Sequence, residues 1–251
     1  MNTEIQETEV LTEDEQVSLL LENLPTETDV SVEVPSGGRV YFGGKGGLID
    51  IKPIHFEDEK ALATAGRGAS FNPANYLLSK CVKNVDLDDI LLIDKVFLLL
   101  KIREISYGND YKVGVACPNC SYENNLNLEL DKLITIPVPE DIDVFNIPVH
   151  LRGLNKDAIV MTPTVAEEKY LGGGVIYDNL WRFVKSIEEI NSPTVLSTVL
   201  SKSPIVDLHL LVNALSLSEY GLQPEIQFTC DSCSKTNLIA LPIDANFFSV
   251  T

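Results

Sequence analysis

The spacing of apolar residues predicts one short helix near the start of the chain. Thr12-Glu-Asp-Glu15 is a capping-box sequence, in which the threonine and glutamate side chains each bond a backbone amide at a helix start. Apolar residues follow at helical spacing up to Pro25: Val17, Leu20, Leu21 and Leu24. We therefore expect an amphipathic helix within an acidic tail over residues 1–29. The tail could dock on a partner or stay mobile with a transient helix, and both interpretations are open.

The period of the pattern changes to two near residue 30, which is typical of a β-strand. Apolar and polar residues alternate over Val30–Val34, and Pro35-Ser-Gly-Gly38 then turns the chain into Arg39–Phe42. This order predicts a β-hairpin made of those two runs. The glycine-rich stretch Gly43–Gly47 lacks the Gly-Lys-Ser/Thr of a phosphate loop. We interpret it as a turn before a further strand at Leu48–Ile51.

Helical spacing returns after these strands. Phe56–Ala65 and Asn75–Lys83 predict two short helices. A longer helix is expected to begin at the acidic cap Asp86-Leu-Asp-Asp89 and to end near Ser106, with Gly108 as its C-cap. It is apolar on most faces, so it should lie at the centre of the fold. Its apolar residues are Ile90, Leu91, Leu92, Ile93, Val96, Phe97, Leu98, Leu99, Leu100, Ile102 and Ile105.

After one strand predicted near Val144–Leu151, the chain up to Ser218 is expected to be helical. Two of the expected helices follow Ser-Pro dipeptides, and proline is favoured in the first turn of a helix. The predicted helical segments are Thr164–Tyr170, Asp178–Glu189, Thr194–Leu200 and Ile205–Leu217.

Two Cys-x-x-Cys motifs carry the most specific chemistry in the sequence. Cys117-Pro-Asn-Cys120 and Cys230-Asp-Ser-Cys233 each lie between two strand-like runs. One motif offers two thiolates, whereas a structural zinc ion takes four ligands in a tetrahedron. We therefore expect the two hairpins to meet and to bind one structural Zn²⁺ through Cys117, Cys120, Cys230 and Cys233.

Other interpretations of the cysteines stay open. Iron fits the same tetrahedral set of thiolates, and the cysteines could also carry no metal. A redox-active pair is disfavoured, because such a pair opens a helix after a strand and here strand residues stand on both sides. The fifth cysteine, Cys81, has no histidine at a recognisable spacing, so we expect a buried apolar side chain.

Composition narrows the class of protein. The chain has 251 residues and a formal charge of −18, and ten acidic residues precede the first basic residue, Arg39. Nucleic-acid binding relies on basic residues, so this charge argues against it. No run reaches the roughly 18 apolar residues of a membrane span, and the N-terminus does not resemble a signal peptide. Four of the five cysteines have metal-type spacing, which fits a cytoplasmic, reducing environment.

Catalytic motifs are scarce. The three histidines, His55, His150 and His209, are isolated in the sequence, and no Gly-x-Ser-x-Gly or His-Glu-x-x-His motif occurs. We therefore predict that the protein is not an enzyme. A deep pocket that gathers His150 or His209 with carboxylates of raised pKa would favour an enzyme instead.

A run of motifs over roughly residues 35–130 resembles a known family. The most specific is Ile102-Arg-x-Ile-Ser-Tyr-Gly108, followed by Tyr111 and Cys117-Pro-x-Cys120. With Pro35-Ser-Gly-Gly, Leu77-Leu78, Cys81-Val-x-Asn84 and Asp94-Lys95, it resembles the baseplate-hub and hub-assembly proteins of T-even contractile-tailed bacteriophages. The resemblance implies a non-enzymatic structural or assembly component of the tail baseplate hub, with other hub proteins as partners. Assembly would occur in the host cytoplasm, with or without retention in the virion.

The expected fold class is α+β. It has a helical core around one long buried helix, an N-terminal β-hairpin region and two zinc-knuckle β-hairpins joined at one four-cysteine site. We divide the chain into the tail (1–29), the hairpin with helical core and first knuckle (30–131), and a helical segment with the second knuckle (132–251). The last two should pack as one unit, and oligomers are possible. The alternative function is a zinc-ribbon adaptor subunit of a cellular complex.

Overall fold

The computed structural model describes residues 12–22, 29–44, 46–65, 71–241, 243 and 245–248. Its α-helices are α1 (Glu13–Leu21), α2 (Phe56–Ala65), α3 (Pro73–Cys81), α4 (Leu92–Tyr107), α5 (Val175–Asn179), α6 (Pro193–Leu200) and α7 (Ile205–Ser216). Its strands are β1 (Val30–Val32), β2 (Ile49–Ile51), β3 (Asp110–Ala116), β4 (Glu123–Glu129), β5 (Thr135–Ile136), β6 (Ile147–Leu151), β7 (Lys156–Val160), β8 (Val184–Ile187), β9 (Gly221–Leu222), β10 (Glu225–Thr229) and β11 (Thr236–Ala240).

The strands form small antiparallel sheets. Within the described residues, four sheets have two strands each, β1–β2, β3–β4, β5–β9 and β10–β11, and β6, β7 and β8 form one three-stranded sheet in that order. A two-stranded sheet is marginal by itself, so the helices must complete the cores. The prediction of a mixed helix-and-sheet fold is confirmed.

Helix α4 contributes much of the first hydrophobic core. Leu98 and Ile102 are fully buried, and they share this core with α3, with β2 and with Phe247 near the C-terminus. The helix ends at Tyr107, and Gly108 follows with a φ of 88°, a conformation that glycine adopts readily. The end of the chain therefore packs against the same helix as the N-terminal strands.

Helix α4 begins at Leu92, not at Asp86 as predicted. Leu87–Asp89 forms a separate 3-10 turn, and the chain is extended at Ile90 and Leu91. Leu91 pairs with Thr164 as an isolated bridge, and the N–H of Leu92 donates to the carbonyl of Pro163 at 3.0 Å. This pairing with a distant segment holds the chain extended where local spacing alone favours helix.

The second hydrophobic core lies between the three-stranded sheet and helices α6 and α7. Helix α7 packs on β6, and α6 packs on β8. Helices α6 and α7 confirm the predictions over Thr194–Leu200 and Ile205–Leu217. The prediction of helix over Asp178–Glu189 is wrong, since a 3-10 turn at Leu180–Phe183 leads into β8, and strand β7 was not predicted. Phe183, Val184 and Ile187 fit helical spacing as well as a short strand. These residues form a strand because β8 pairs with β7, which is distant in sequence.

The first strand of the N-terminal hairpin pairs with a different segment from the one predicted. Strand β1 pairs with β2, and residues 39–42 lie in successive turns instead of a strand. The Nη1 and Nη2 atoms of Arg39 donate to three carbonyls, with distances of 2.6 Å to Glu140, 3.1 Å to Pro139 and 3.4 Å to Val138. Because Arg39 bonds a distant part of the fold, the apolar run that follows it does not form the predicted strand.

Asp94 attaches this N-terminal loop to α4. Its fully buried carboxylate accepts the N–H of Ser36 at 2.9 Å, the hydroxyl of Ser36 at 2.5 Å and the hydroxyl of Tyr41 at 2.7 Å. The Tyr41 oxygen accepts the N–H of Leu91 at 2.9 Å. Burial raises the pKa of Asp94, against the opposing effect of its hydrogen bonds. One carboxylate therefore joins the loop to the start of the central helix.

Helix α1 begins with the predicted capping box. The N–H of Thr12 donates to Glu15 Oε2 at 2.8 Å, and the N–H of Glu15 donates to Thr12 Oγ1 at 3.3 Å. Its side chains Val17, Leu19 and Leu20 are exposed. The rest of the predicted tail, residues 1–11 and 23–28 with Leu24 and Pro25, lies outside the described residues. No helix within the described ranges is both long and apolar enough to cross a membrane.

Candidate metal centre

Two β-hairpins carry the cysteines, and they have the same construction. In the first, Ala116 pairs with Glu123 at the end of β3 and β4, and in the second Thr229 pairs with Thr236 at the end of β10 and β11. Each Cys-x-x-Cys turn follows directly on the first strand of its hairpin. In both hairpins the first strand ends one residue before the first cysteine. Each turn therefore carries two sulfur atoms at the tip of its hairpin.

Matching hydrogen bonds shape both turns. The N–H of Ser121 donates to the carbonyl of Cys117 at 2.9 Å, and the N–H of Ser234 donates to the carbonyl of Cys230 at 2.9 Å. These two serines have left-handed backbone conformations, with φ values of 58° and 57°. Each turn thus folds back on its first cysteine, which brings both sulfur atoms of a pair to the same side.

The structure brings all four predicted cysteines together. Their sulfur atoms lie within 4.8 Å of one another, with 3.7 Å from Cys117 to Cys233 and 3.7 Å from Cys120 to Cys230. Sulfur ligands about 2.3 Å from a tetrahedral zinc ion are about 3.8 Å apart. Cys117 and Cys230 are buried, whereas Cys120 is exposed. The four thiols could therefore hold one metal ion near the surface.

Backbone donors favour the thiolate form of two of these cysteines. Burial acts to raise the pKa of Cys117, but hydrogen bonds from the N–H groups of Asn119 and Cys120 and from neighbouring thiols lower it to about 6. The N–H of Cys233 lowers the pKa of Cys230. Metal ligation requires thiolates, and these N–H donors favour the thiolate form of Cys117 and Cys230.

The pKa of Cys120 moves in the opposite direction. The N–H of Tyr122 acts to lower it, but burial and the hydrogen bonds with the other three thiols raise it to about 11. Four thiolates so close together repel one another, so the group cannot ionise fully without a compensating charge. A bound divalent cation would supply that charge.

Two buried asparagines that the sequence reasoning missed connect the hairpins. Asn124 lies opposite Val115 in the strand register, and its Nδ2 donates to the carbonyl of Tyr122 at 3.0 Å. Its Oδ1 accepts the N–H of Asp231, in the other turn, at 2.9 Å. One side chain therefore stabilises its own turn and also bonds the turn of the other hairpin.

Asn237 repeats this arrangement in the second hairpin. Its Nδ2 donates to the carbonyl of Lys235 at 2.9 Å and lies 3.7 Å from the sulfur of Cys117, and its Oδ1 accepts from Asn119 Nδ2 at 2.7 Å. A signal for both asparagines was present, since each copy contains Cys-x-x-Cys-Ser-x-x-Asn. Comparing the two copies position by position would have found it.

A small hydrophobic cluster adjoins the four cysteines. Val115 and Phe228, at matching positions in β3 and β10, are buried together with Cys117 and Cys230. This cluster is separate from the two large cores. The hairpins therefore have little apolar area of their own, and a metal ion would contribute much of the energy that holds them together.

The chain matches the protein-family model described as T4 bacteriophage base plate protein over residues 27–249 of 251. It belongs to this family. The matched range includes both cysteine pairs and begins after α1. No curated protein and no solved structure matches the chain significantly. The resemblance seen in the sequence is confirmed at the level of a T4-type phage baseplate protein.

The histidines of this baseplate-family protein are all exposed, instead of gathering in a deep pocket. His150 Nδ1 lies 2.7 Å from Asp157 Oδ1 on the three-stranded sheet, and His209 lies on α7. Among the described carboxylic acids, Asp94 has a raised pKa, and its partners are Ser36 and Tyr41. The arrangement that would favour an enzyme is therefore not formed by these groups.

The left-handed serines of the two turns give a testable prediction. Replacing Ser121 and Ser234 by glycine should raise the free energy of unfolding by about 1 kcal/mol, because glycine adopts positive φ without the steric cost of a side chain. Urea unfolding of the metal-loaded protein measures the change. Ser232→Gly is the matched control, since the φ of Ser232 is not positive, and it should lower stability slightly. If the Ser121 and Ser234 replacements lower the free energy of unfolding, as Ser232→Gly does, steric cost at positive φ does not explain the effect.

Proposed function

We propose that this protein is a non-enzymatic structural or assembly component of the phage tail baseplate hub, and that zinc stabilises its fold. The observation that carries the proposal is the family match over residues 27–249. The hub assignment, which is narrower than the family, rests on the resemblance of residues 35–130 to hub proteins. Other hub proteins are its partners in this proposal, which includes no nucleic-acid partner.

Zinc as the metal follows from the chemistry of the ligands. Cys117, Cys120, Cys230 and Cys233 form a set of four thiolates, which closes the coordination shell and leaves no open position for a substrate. A closed shell serves stability rather than catalysis. The ion would connect residue 117 to residue 233 and so tie the middle of the chain to its end. A baseplate component gains from such a link, because it must keep its shape while its neighbours bind.

The acidic charge supports protein partners. A net charge of −18 disfavours phosphate backbones and favours surfaces rich in lysine and arginine. Helix α1 adds exposed apolar side chains to an acidic first turn, Glu13, Asp14 and Glu15. Assembly would take place in the host cytoplasm, and the finished baseplate would carry the protein if it is retained.

A phage with a stop codon in this gene tests the proposal. Infected cells should accumulate heads but no complete baseplates, and a plasmid-encoded copy of the chain should restore infectious particles. Mass spectrometry of purified virions then shows whether the chain is retained. Normal yields of infectious particles without the chain would contradict a baseplate role. Co-purification of an affinity-tagged chain with host polymerase or secretion subunits, instead of hub proteins, would favour the cellular zinc-ribbon adaptor.

A further inference from the structure

The two cysteine turns correspond position by position, and each is followed by a buried asparagine. Counted from the first cysteine of each motif, Asn124 and Asn237 occupy the same position. Each Nδ2 donates to the backbone carbonyl two residues earlier, that of Tyr122 at 3.0 Å and that of Lys235 at 2.9 Å. Each Oδ1 accepts a hydrogen bond from the opposite turn. The hairpins are therefore joined by a reciprocal pair of asparagine bonds.

The two bonds between the hairpins have different donors. Asn124 Oδ1 accepts the backbone N–H of Asp231 at 2.9 Å. In the first turn the position equivalent to Asp231 is Pro118, and proline has no backbone N–H. Asn237 Oδ1 instead accepts from the side-chain Nδ2 of Asn119, the residue after Pro118, at 2.7 Å. The donor that the correspondence of the turns would place at residue 118 is missing, and a side-chain amide occupies its place.

Lys235 fixes the orientation of the Asn119 amide. Its Nζ donates to Asn119 Oδ1 at 3.2 Å, and an ammonium group can only donate. The oxygen of the amide therefore faces Lys235, and its nitrogen faces Asn237 Oδ1. Asn237 in turn places its Nδ2 3.7 Å from the sulfur of Cys117. These contacts connect the exposed Asn119 to a cysteine of the metal centre.

Such contacts affect metal binding because the ligands come from two separate hairpins. The distance between the hairpins decides whether all four sulfur atoms can reach one ion. Residues that orient metal ligands from outside the coordination shell typically change metal affinity by about 10- to 100-fold. A side chain that fixes one turn against the other therefore has a measurable effect on affinity.

We propose that Asn119 is a positioning residue of the metal centre, whose side-chain amide replaces the backbone N–H that Pro118 lacks. Together with the bond between Asp231 and Asn124, it holds the two turns at the separation that one ion requires. The metal rests on the proposed function, whereas the replacement of the donor rests on the hydrogen bonds between the turns.

Competition for zinc between the full, zinc-loaded chain and a chromophoric chelator measures the effect. Asn119→Ala should lower the zinc affinity about tenfold, because Asn237 Oδ1 then loses its donor from the first turn. Asn125→Ala makes the same change at an exposed position on β4 and should keep the affinity of the wild type. Equal zinc affinities of Asn119→Ala and the wild type would overturn the proposal.

Pro118→Ala tests the replacement of the donor. It restores a backbone N–H at the position equivalent to Asp231, and an amide oxygen such as Asn237 Oδ1 can accept from it. In the Pro118→Ala background, Asn119→Ala should therefore weaken zinc binding by less than about twofold, against about tenfold in the wild-type background. A general loss of stability would be equally large in both backgrounds, so equal losses of zinc affinity would contradict the proposal.

Asn124→Ala shows whether the rescue is specific. Its donor lies in the other turn, at Asp231, so Pro118→Ala should not restore the affinity that Asn124→Ala loses. Rescue of both variants would show a general effect of residue 118 and would overturn the role of Asn119. A wild-type chain that takes up no zinc would refute the metal centre of the proposed function. Zinc uptake by the wild type without an effect of Asn119→Ala would refute the positioning role alone.

Discussion

Replacing Cys230 with serine is expected to abolish zinc binding and to lower the melting temperature by roughly 10–20 °C. Cys230 is buried, and its sulfur lies 3.7 Å from that of Cys120, so the substitution removes one of the four ligands of the proposed zinc site. The binding energy of a structural metal is part of the folding energy. A loss of about 5 kcal/mol corresponds to this temperature shift in a chain of this size. Elemental analysis and thermal unfolding followed by circular dichroism measure the two effects.

Cys81→Ala is the matched control for zinc content. Cys81 is fully buried in the first core and lies outside the four-cysteine group. Its replacement should cost about 1–2 kcal/mol through lost packing but keep one zinc ion per chain. A wild-type chain purified without chelator that contains almost no zinc would refute the metal assignment. One zinc ion retained by Cys230→Ser would refute the role of Cys230 as a ligand.

Replacing Asp94 with alanine is expected to lower the free energy of unfolding by about 3–5 kcal/mol. The carboxylate accepts three hydrogen bonds, from the N–H and hydroxyl of Ser36 and from the hydroxyl of Tyr41. Alanine leaves these donors buried without an acceptor and also leaves a cavity. The loop that contains Ser36 and Tyr41 would lose its attachment to α4. Urea unfolding at neutral pH, followed by circular dichroism, gives the difference.

Asp89→Ala provides the comparison for Asp94. Asp89 lies in the 3-10 turn just before α4 and is exposed. Its replacement should change the free energy of unfolding by less than about 0.5 kcal/mol. Equal effects of the two substitutions would show that the network around Asp94 contributes little.

Local patterns predicted the elements that local chemistry determines. The capping box of α1, helix α2 over Phe56–Ala65 and the end of α4 beside Gly108 follow from caps and helical spacing within a few residues. The meeting of the four cysteines was also predictable. One pair offers too few ligands for a metal, and the second pair has the same Cys-x-x-Cys motif between two strand-like runs.

Non-local contacts explain the wrong predictions. Strand β8 forms because β7 lies beside it, and residues 39–42 turn because Arg39 bonds carbonyls about a hundred residues away. Short apolar runs fit either helix or strand, so their state depends on which neighbour they meet. Asn124 and Asn237 were missed for a related reason, since their partners lie in the opposite hairpin.

The amino-acid sequence by itself determined the four cysteines that meet, the two matching turns and the family of this protein. These features depend on the identity and spacing of residues that are close in the chain. Only the tertiary structure decided the three-stranded sheet, the buried Asp94 network and the asparagine contacts between the two cysteine hairpins. Each of these depends on groups brought together from distant segments, where burial turns a single hydroxyl or carboxylate into a strong energetic constraint.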